Sequence, residues 1–193
     1  MNVPRLLAGI IVLPLALSAA RAEPPGPYYR TTLGLTAGWG APYGWGLDVG
    51  RFFSDKLEAT VGGGLAASGL KAGAGARYFL LPQRNTSPYF GLNAVYSGRL
   101  RDQTASFSND VHYDVRPSAV LHLRSGLRWQ SDRVGFLGTL GYGVRLSGYP
   151  IRFREPAEGQ AGPRPETVRM ARAFAPGGLE ISFGMSIGLG PRR

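Results

Sequence analysis

Leu179-Glu180-Ile181-Ser182-Phe183-Gly184-Met185-Ser186-Ile187-Gly188-Leu189 alternates without a break. Leu179, Ile181, Phe183, Met185, Ile187 and Leu189 make one row, and Glu180, Ser182, Gly184 and Ser186 stand between them. A period of two is the strand period, because successive side chains leave opposite faces of the chain. The run has the length of a tilted strand that crosses a bilayer, about 9–11 residues.

Working outward, seven earlier segments repeat the pattern. The first sets Leu33, Leu35, Ala37 and Trp39 against Thr32, Gly34, Thr36 and Gly38. The second sets Trp45, Leu47, Val49 and Phe53 against Gly46, Asp48 and Gly50. The third sets Leu57, Ala59, Val61 and Leu65 against Glu58, Thr60, Gly62 and Gly64, and the fourth sets Leu70, Ala72, Ala74, Ala76, Tyr78 and Leu80 against Lys71, Gly73, Gly75 and Arg77. The fifth carries Phe90, Leu92, Ala94 and Tyr96 opposite Gly91 and Asn93. In the sixth, Ala119, Leu121, Leu123, Leu127 and Trp129 oppose His122, Arg124, Arg128 and Gln130. The seventh sets Val134, Phe136, Leu140, Tyr142, Val144 and Leu146 against Gly141, Gly143 and Arg145. No sustained helical period appears, so no helix is expected. Eight strands, an even number, predict an all-β, antiparallel up-and-down transmembrane β-barrel.

Residues 1–22 read as a cleaved signal peptide. Arg5 supplies the positive start, residues 6–16 the apolar centre, and Ala20-Arg21-Ala22 the cleavage site. Residues 23–30 form a proline-rich lead-in, and the barrel is expected over 31–190. The chain has no cysteine, so an exported product must hold together by its fold alone. Twenty-nine glycines without a Gly-X-Y period exclude collagen. The formal charge is +10, and loss of Arg5 and Arg21 leaves +8. That balance favours an anionic partner, and for an exported protein this means lipopolysaccharide phosphate rather than nucleic acid.

Alternation does not say which face is inside, and a soluble lipocalin-like barrel alternates too. The glycine-rich polar face suits the narrow lumen of eight strands. Trp39, Trp45 and Tyr96 would mark one membrane interface, and Phe53, Tyr78, Phe90 and Trp129 the other. Ser54-Asp55-Lys56, Ser131-Asp132-Arg133 and residues 82–87 are turns on one side. Residues 98–117 and 147–177 are long polar loops on the other, where the first two connections, near 41–43 and 66–69, are short.

The mature chain thereby resembles the small eight-stranded OmpA/OmpX-like outer-membrane barrels. Ala76-Arg77-Tyr78-Phe79 and Ser87-Pro88-Tyr89-Phe90-Gly91 look like a hairpin of that group. Ser182, Gly184, Ile187 and Leu189 resemble the signal read by the barrel assembly machinery. The resemblance implies a monomer in the bacterial outer membrane, in contact with its lipid and lipopolysaccharide. It does not imply one activity, since the fold hosts many.

Several constellations bear on chemistry. Asp48, Glu58, Lys71, Arg77, His122, Arg124, Arg128, Arg145 and Glu180 are expected to form a lumen charge network, because charges removed from water need partners. The other reading of that set is a narrow anion-favouring conduit. Lipid A deacylases among small barrels use a His-x-Ser pair, but here Arg124 follows His122 at that spacing. Ser125 falls on the opposite face, and Ser118 lies ~13 Å along the strand. Asp110, His112 and Asp114 alternate as metal ligands would, but read as solvated loop residues. Gly62-x-Gly64-x-x-Ala67 mimics a dinucleotide fingerprint without the helix it needs. No catalytic residue, metal or cofactor is assigned. Among the loop arginines, Arg99, Arg101 and Arg164 included, Arg152, Arg154, Arg169 and Arg172 are expected to bind lipid phosphates, for which the guanidinium fork is suited. The expected role is non-enzymatic: envelope integrity or surface interaction. A small-solute channel of OmpW-like type and a lipid A-modifying enzyme are the alternatives.

Overall fold

A computed structural model describes residues 28–105, 111–153 and 165–192. The signal-peptide reading of 1–22, Asp110, Arg154 and Arg164 lie outside them. Eight strands close the barrel: β1 (Tyr29–Trp39), β2 (Trp45–Phe52), β3 (Leu57–Ala66), β4 (Gly69–Phe79), β5 (Thr86–Ser97), β8 (Ser118–Ser131), β9 (Val134–Arg145) and β11 (Gly178–Arg192). Their order around the wall is β1-β11-β9-β8-β5-β4-β3-β2, and β2 returns to β1 through Leu33↔Val49 and Leu35↔Leu47. Every neighbouring pair is antiparallel, so the fold is an up-and-down β-barrel without a free edge.

Burial decides which of the two parities is inside. Thr32, Asp48, Glu58, Arg77, Asn93, Arg124, Gln130 and Glu180 are buried, while the apolar rows are exposed. Trp45 is 75% exposed, Phe53 72% and Phe183 71%. A water-soluble barrel would bury these rings, and an apolar surface this continuous calls for a non-aqueous partner. The soluble lipocalin-like arrangement is therefore inverted here. No helix among the described residues is long and apolar enough to cross a membrane; the exposed apolar residues lie on the strands.

Two sequence expectations are corrected. The long connections are structured: β6 (Leu100–Ala105), β7 (Val111–Val115) and β10 (Ile151–Phe153) form a separate three-stranded sheet in the order β10-β7-β6. A helix also occurs, α1 (Pro165–Ala173), at Pro165-Glu166. Proline suits the first helical position and glutamate the positive end of the helix dipole, a local start signal that a search for long periods passes over. Ala171 and Ala175 pack with Ile151 beneath Tyr113 and Phe153, which tie the helix to the small sheet.

At the turn end a clasp joins first strand to last. Tyr29 Oη donates to Asp132 Oδ1 at 3.0 Å, Arg192 Nε donates to Tyr29 Oη at 3.2 Å, and Arg192 also pairs with Asp132. These hydrogen bonds, from Arg192 first and Tyr29 second, hold the Asp132 carboxyl below its usual value. A carboxyl depressed in the folded state stabilises above its unfolded pKa, about 4, and that contribution fades as pH falls through the folded value. Asp132→Asn keeps a side chain suited to the positive φ of 49° at that position. The variant should therefore unfold earlier than the parent at neutral pH, with the gap closing below about pH 4. Denaturant midpoints across pH check this, and a gap independent of pH would contradict it.

Candidate functional site

The lumen is filled by side chains in three tiers. Nearest the loop end, Glu180 accepts from Arg124 Nε at 3.0 Å and from Ser182 Oγ at 2.7 Å, and His122 Nδ1 lies 3.6 Å from its second oxygen. Arg124 also donates to Asn93 Oδ1 at 3.3 Å. In the middle, Arg77 bridges two carboxylates, Nη2 to Asp48 Oδ2 at 3.0 Å and Nη1 to Glu58 Oε2 at 3.2 Å. Thr32 donates to Glu58 at 2.7 Å, and Thr36 donates to Asp48 at 3.3 Å. Strand register sets this tier, since Glu58 pairs directly with Arg77 and Asp48 sits one strand further round. Glycine makes room: a Cβ on Gly34 would stand 2.9 Å from Asp48 Oδ1.

The third tier closes the turn end. Arg128 donates to Gln130 Oε1 at 2.8 Å and lies 4.5 Å over the Tyr28 ring. Tyr28, Phe52, Phe79, Tyr89 and Leu137 form an apolar floor beneath it. The sequence reading missed this floor. Phe52 shares parity with Asp48, Phe79 with Arg77, and Tyr89 with Asn93, so extending each inward row by one or two pleats would have found it. Between the tiers a void of about 10 Å³ remains, bordered by Asp48, Arg77 and Arg124. That is about the space of one water.

Seven of the nine predicted lumen charges thus meet in the tiers. Arg145 does not: it is exposed at the rim, donates to the Pro176 carbonyl at 3.3 Å and stacks 5.5 Å from Tyr149. It is the last residue of β9, where the lumen opens and parity no longer means burial. Lys71 is buried yet stands apart from the ion pairs, with Nζ on the Ala41 carbonyl at 3.3 Å.

The predicted phosphate set is redistributed. Arg152 on β10 joins Arg99, Arg101 and Arg116 around a cleft of about 240 Å³, which Asp114 and Val115 complete. Arg152 and Asp114 are register partners on β10 and β7. Arg169 and Arg172 lie elsewhere, on α1, with Arg172 5.7 Å over Tyr149. The three-stranded sheet, which alternation over the long strands could not foretell, makes this grouping. His112 is exposed on β7 opposite Thr104, and no three metal-ligating side chains cluster among the described residues. Gly62 and Gly64 lie within β3. In the assembly-signal stretch of β11, Ser182 is buried on Glu180, while Ile187 and Leu189 face outward.

No protein-family model and no curated protein matches the chain. Among solved structures, the crystal structure of Neisserial surface protein A superposes with a TM-score of 0.46 and 14% identity, over 86% of this chain and 100% of that one. The architecture expected from the resemblance, a small closed barrel of eight strands, is the one this chain has.

Proposed function

We propose that this chain is a non-enzymatic bacterial outer-membrane protein, anchored by its barrel, that meets lipopolysaccharide phosphates through the basic small sheet at its loop end. The observation that carries the reading is the cleft lined by four arginines and, among the described residues, one carboxylate. Arg101 on β6 and Arg152 on β10, with Arg99 just before β6 and Arg116 just after β7, offer bidentate guanidinium donors that a phosphate ester can bridge. The filled lumen argues against a solute channel. It also argues against a hydrolase of the Ser-His-acid kind, because Ser182 donates to the acid Glu180 and not to His122.

Replacing Arg99, Arg101, Arg116 and Arg152 together by glutamine should weaken binding to lipopolysaccharide by about tenfold and flatten its salt dependence. The double variant Arg169→Gln, Arg172→Gln should change it less. Equal binding by the parent and the fourfold variant would remove the proposal.

A further inference from the structure

A second cavity lies at the loop-end mouth, separate from the arginine cleft. It measures about 140 Å³ and is bounded by the β1–β2 turn, the β3–β4 turn and the segment that follows α1. Its walls include Trp39, Trp45 and Phe174, and Lys71 reaches into it beside Ala41 and Ser68. Trp39 and Phe174 meet with ring centroids 5.1 Å apart, so the segment after α1 roofs the turn. Gly40 and Gly44, at φ of 64° and 66°, bend that turn tightly against Leu179 and Leu65.

Lys71 sets the chemistry. It is 6% exposed, and its one hydrogen-bond partner among the described residues is the Ala41 carbonyl. No carboxylate among them comes within ion-pair distance of Nζ, and Glu180, which acts on it from further away, is already held by Arg124. The other deep cations differ: Arg77 and Arg124 hold carboxylates, and Arg128 is cradled by Gln130 and aromatic rings. An ammonium carries three donors, and a buried one without an anion is costly. The cavity is close in size to the ~150 Å³ that holds a benzene-sized apolar group.

From a single buried cation beneath aromatic walls, we infer that this mouth binds a single-chain amphiphile with a carboxylate head, of the fatty-acid class. The carboxylate sits on Lys71 Nζ, and the chain leaves between Trp39 and Trp45, which face outward at 48% and 75% exposure. One monovalent cation matches one monoanionic head. A phosphate, with more charge to neutralise, is better met by the arginine cleft.

The test uses the purified barrel in dodecyl maltoside micelles with Trp129→Phe, so that Trp39 and Trp45 report the site. Dibromostearate should quench their fluorescence in a saturable manner, and its methyl ester should bind about tenfold more weakly. Lys71→Met should weaken the acid by a similar factor. Ala175→Leu keeps the lysine and fills the cavity, and it should abolish the saturable component, which carries the test if Lys71→Met does not fold. Inorganic phosphate should not compete. Quenching that never saturates, equal binding of acid and ester, competition by phosphate, or indifference to the folded variants would each overturn the inference.

Discussion

Arg77→Met is expected to destabilise the barrel by about 3–5 kcal/mol, the scale on which losing one partner of a buried ion pair is felt. Arg77 stands between Asp48 at 3.0 Å and Glu58 at 3.2 Å, all three buried. Methionine keeps most of the volume but leaves two carboxylates facing each other across neighbouring strands. Thr32, Thr36 and the distant Arg128, 3.9 Å from Glu58, cannot neutralise both. The triple variant with Asp48→Asn and Glu58→Gln removes the charges together and should recover most of the loss, since the penalty comes from uncompensated charge. Urea midpoints in detergent, followed by the difference in gel migration between folded and boiled protein, measure both variants. A single variant as stable as the parent would mean that water reaches these groups and the tiers do not seal the lumen.

Leu123→Arg, on the opposite face of the same wall, should reduce stability in lipid bilayers by about 2–4 kcal/mol, as expected for a cation placed at mid-membrane. Leu123 is 57% exposed near the middle of β8, beside Leu92 on β5 and Tyr142 on β9. In water an exposed leucine is replaced by arginine with little effect. Leu146, 64% exposed just past the end of β9, provides the control. Leu146→Arg should shift stability by no more than about 1 kcal/mol, because there the side chain reaches the interface. Folding titrations into phospholipid vesicles give the difference, and equal effects at the two depths would mean that the apolar band does not sit in a bilayer.

Both predictions rest on an inward row and an outward row, and the two rows are legible in the sequence. Alternation is a local property: Leu179 to Leu189 declare their parity whatever the rest of the chain does. The strand count, the antiparallel order and the separation of Arg77 from Leu123 onto opposite faces follow from it, while burial shows which face is inside. What lies where alternation stops was not legible. Arg145 keeps the inward parity yet is exposed, because the rim of a barrel has no opposite wall to bury it. Arg128 was placed in the lumen, but its seat over Tyr28 depends on a residue that precedes the first strand.

The sequence by itself determined the barrel and the inventory of charges within it, because period and parity are written residue by residue. Only the tertiary structure decided how those charges are matched. Asp48, Glu58 and Arg77 meet through the register of three strands, and register is set by many pairs at once. Only the tertiary structure likewise gathered Arg99, Arg101, Arg116 and Arg152 and parted them from Arg169 and Arg172, since β6, β7 and β10 are brief and held by contacts far apart in the chain. Lys71 shows the same limit most simply: its parity places it on the inward row, but that no carboxylate among the described residues forms an ion pair with it is a property of the space around it.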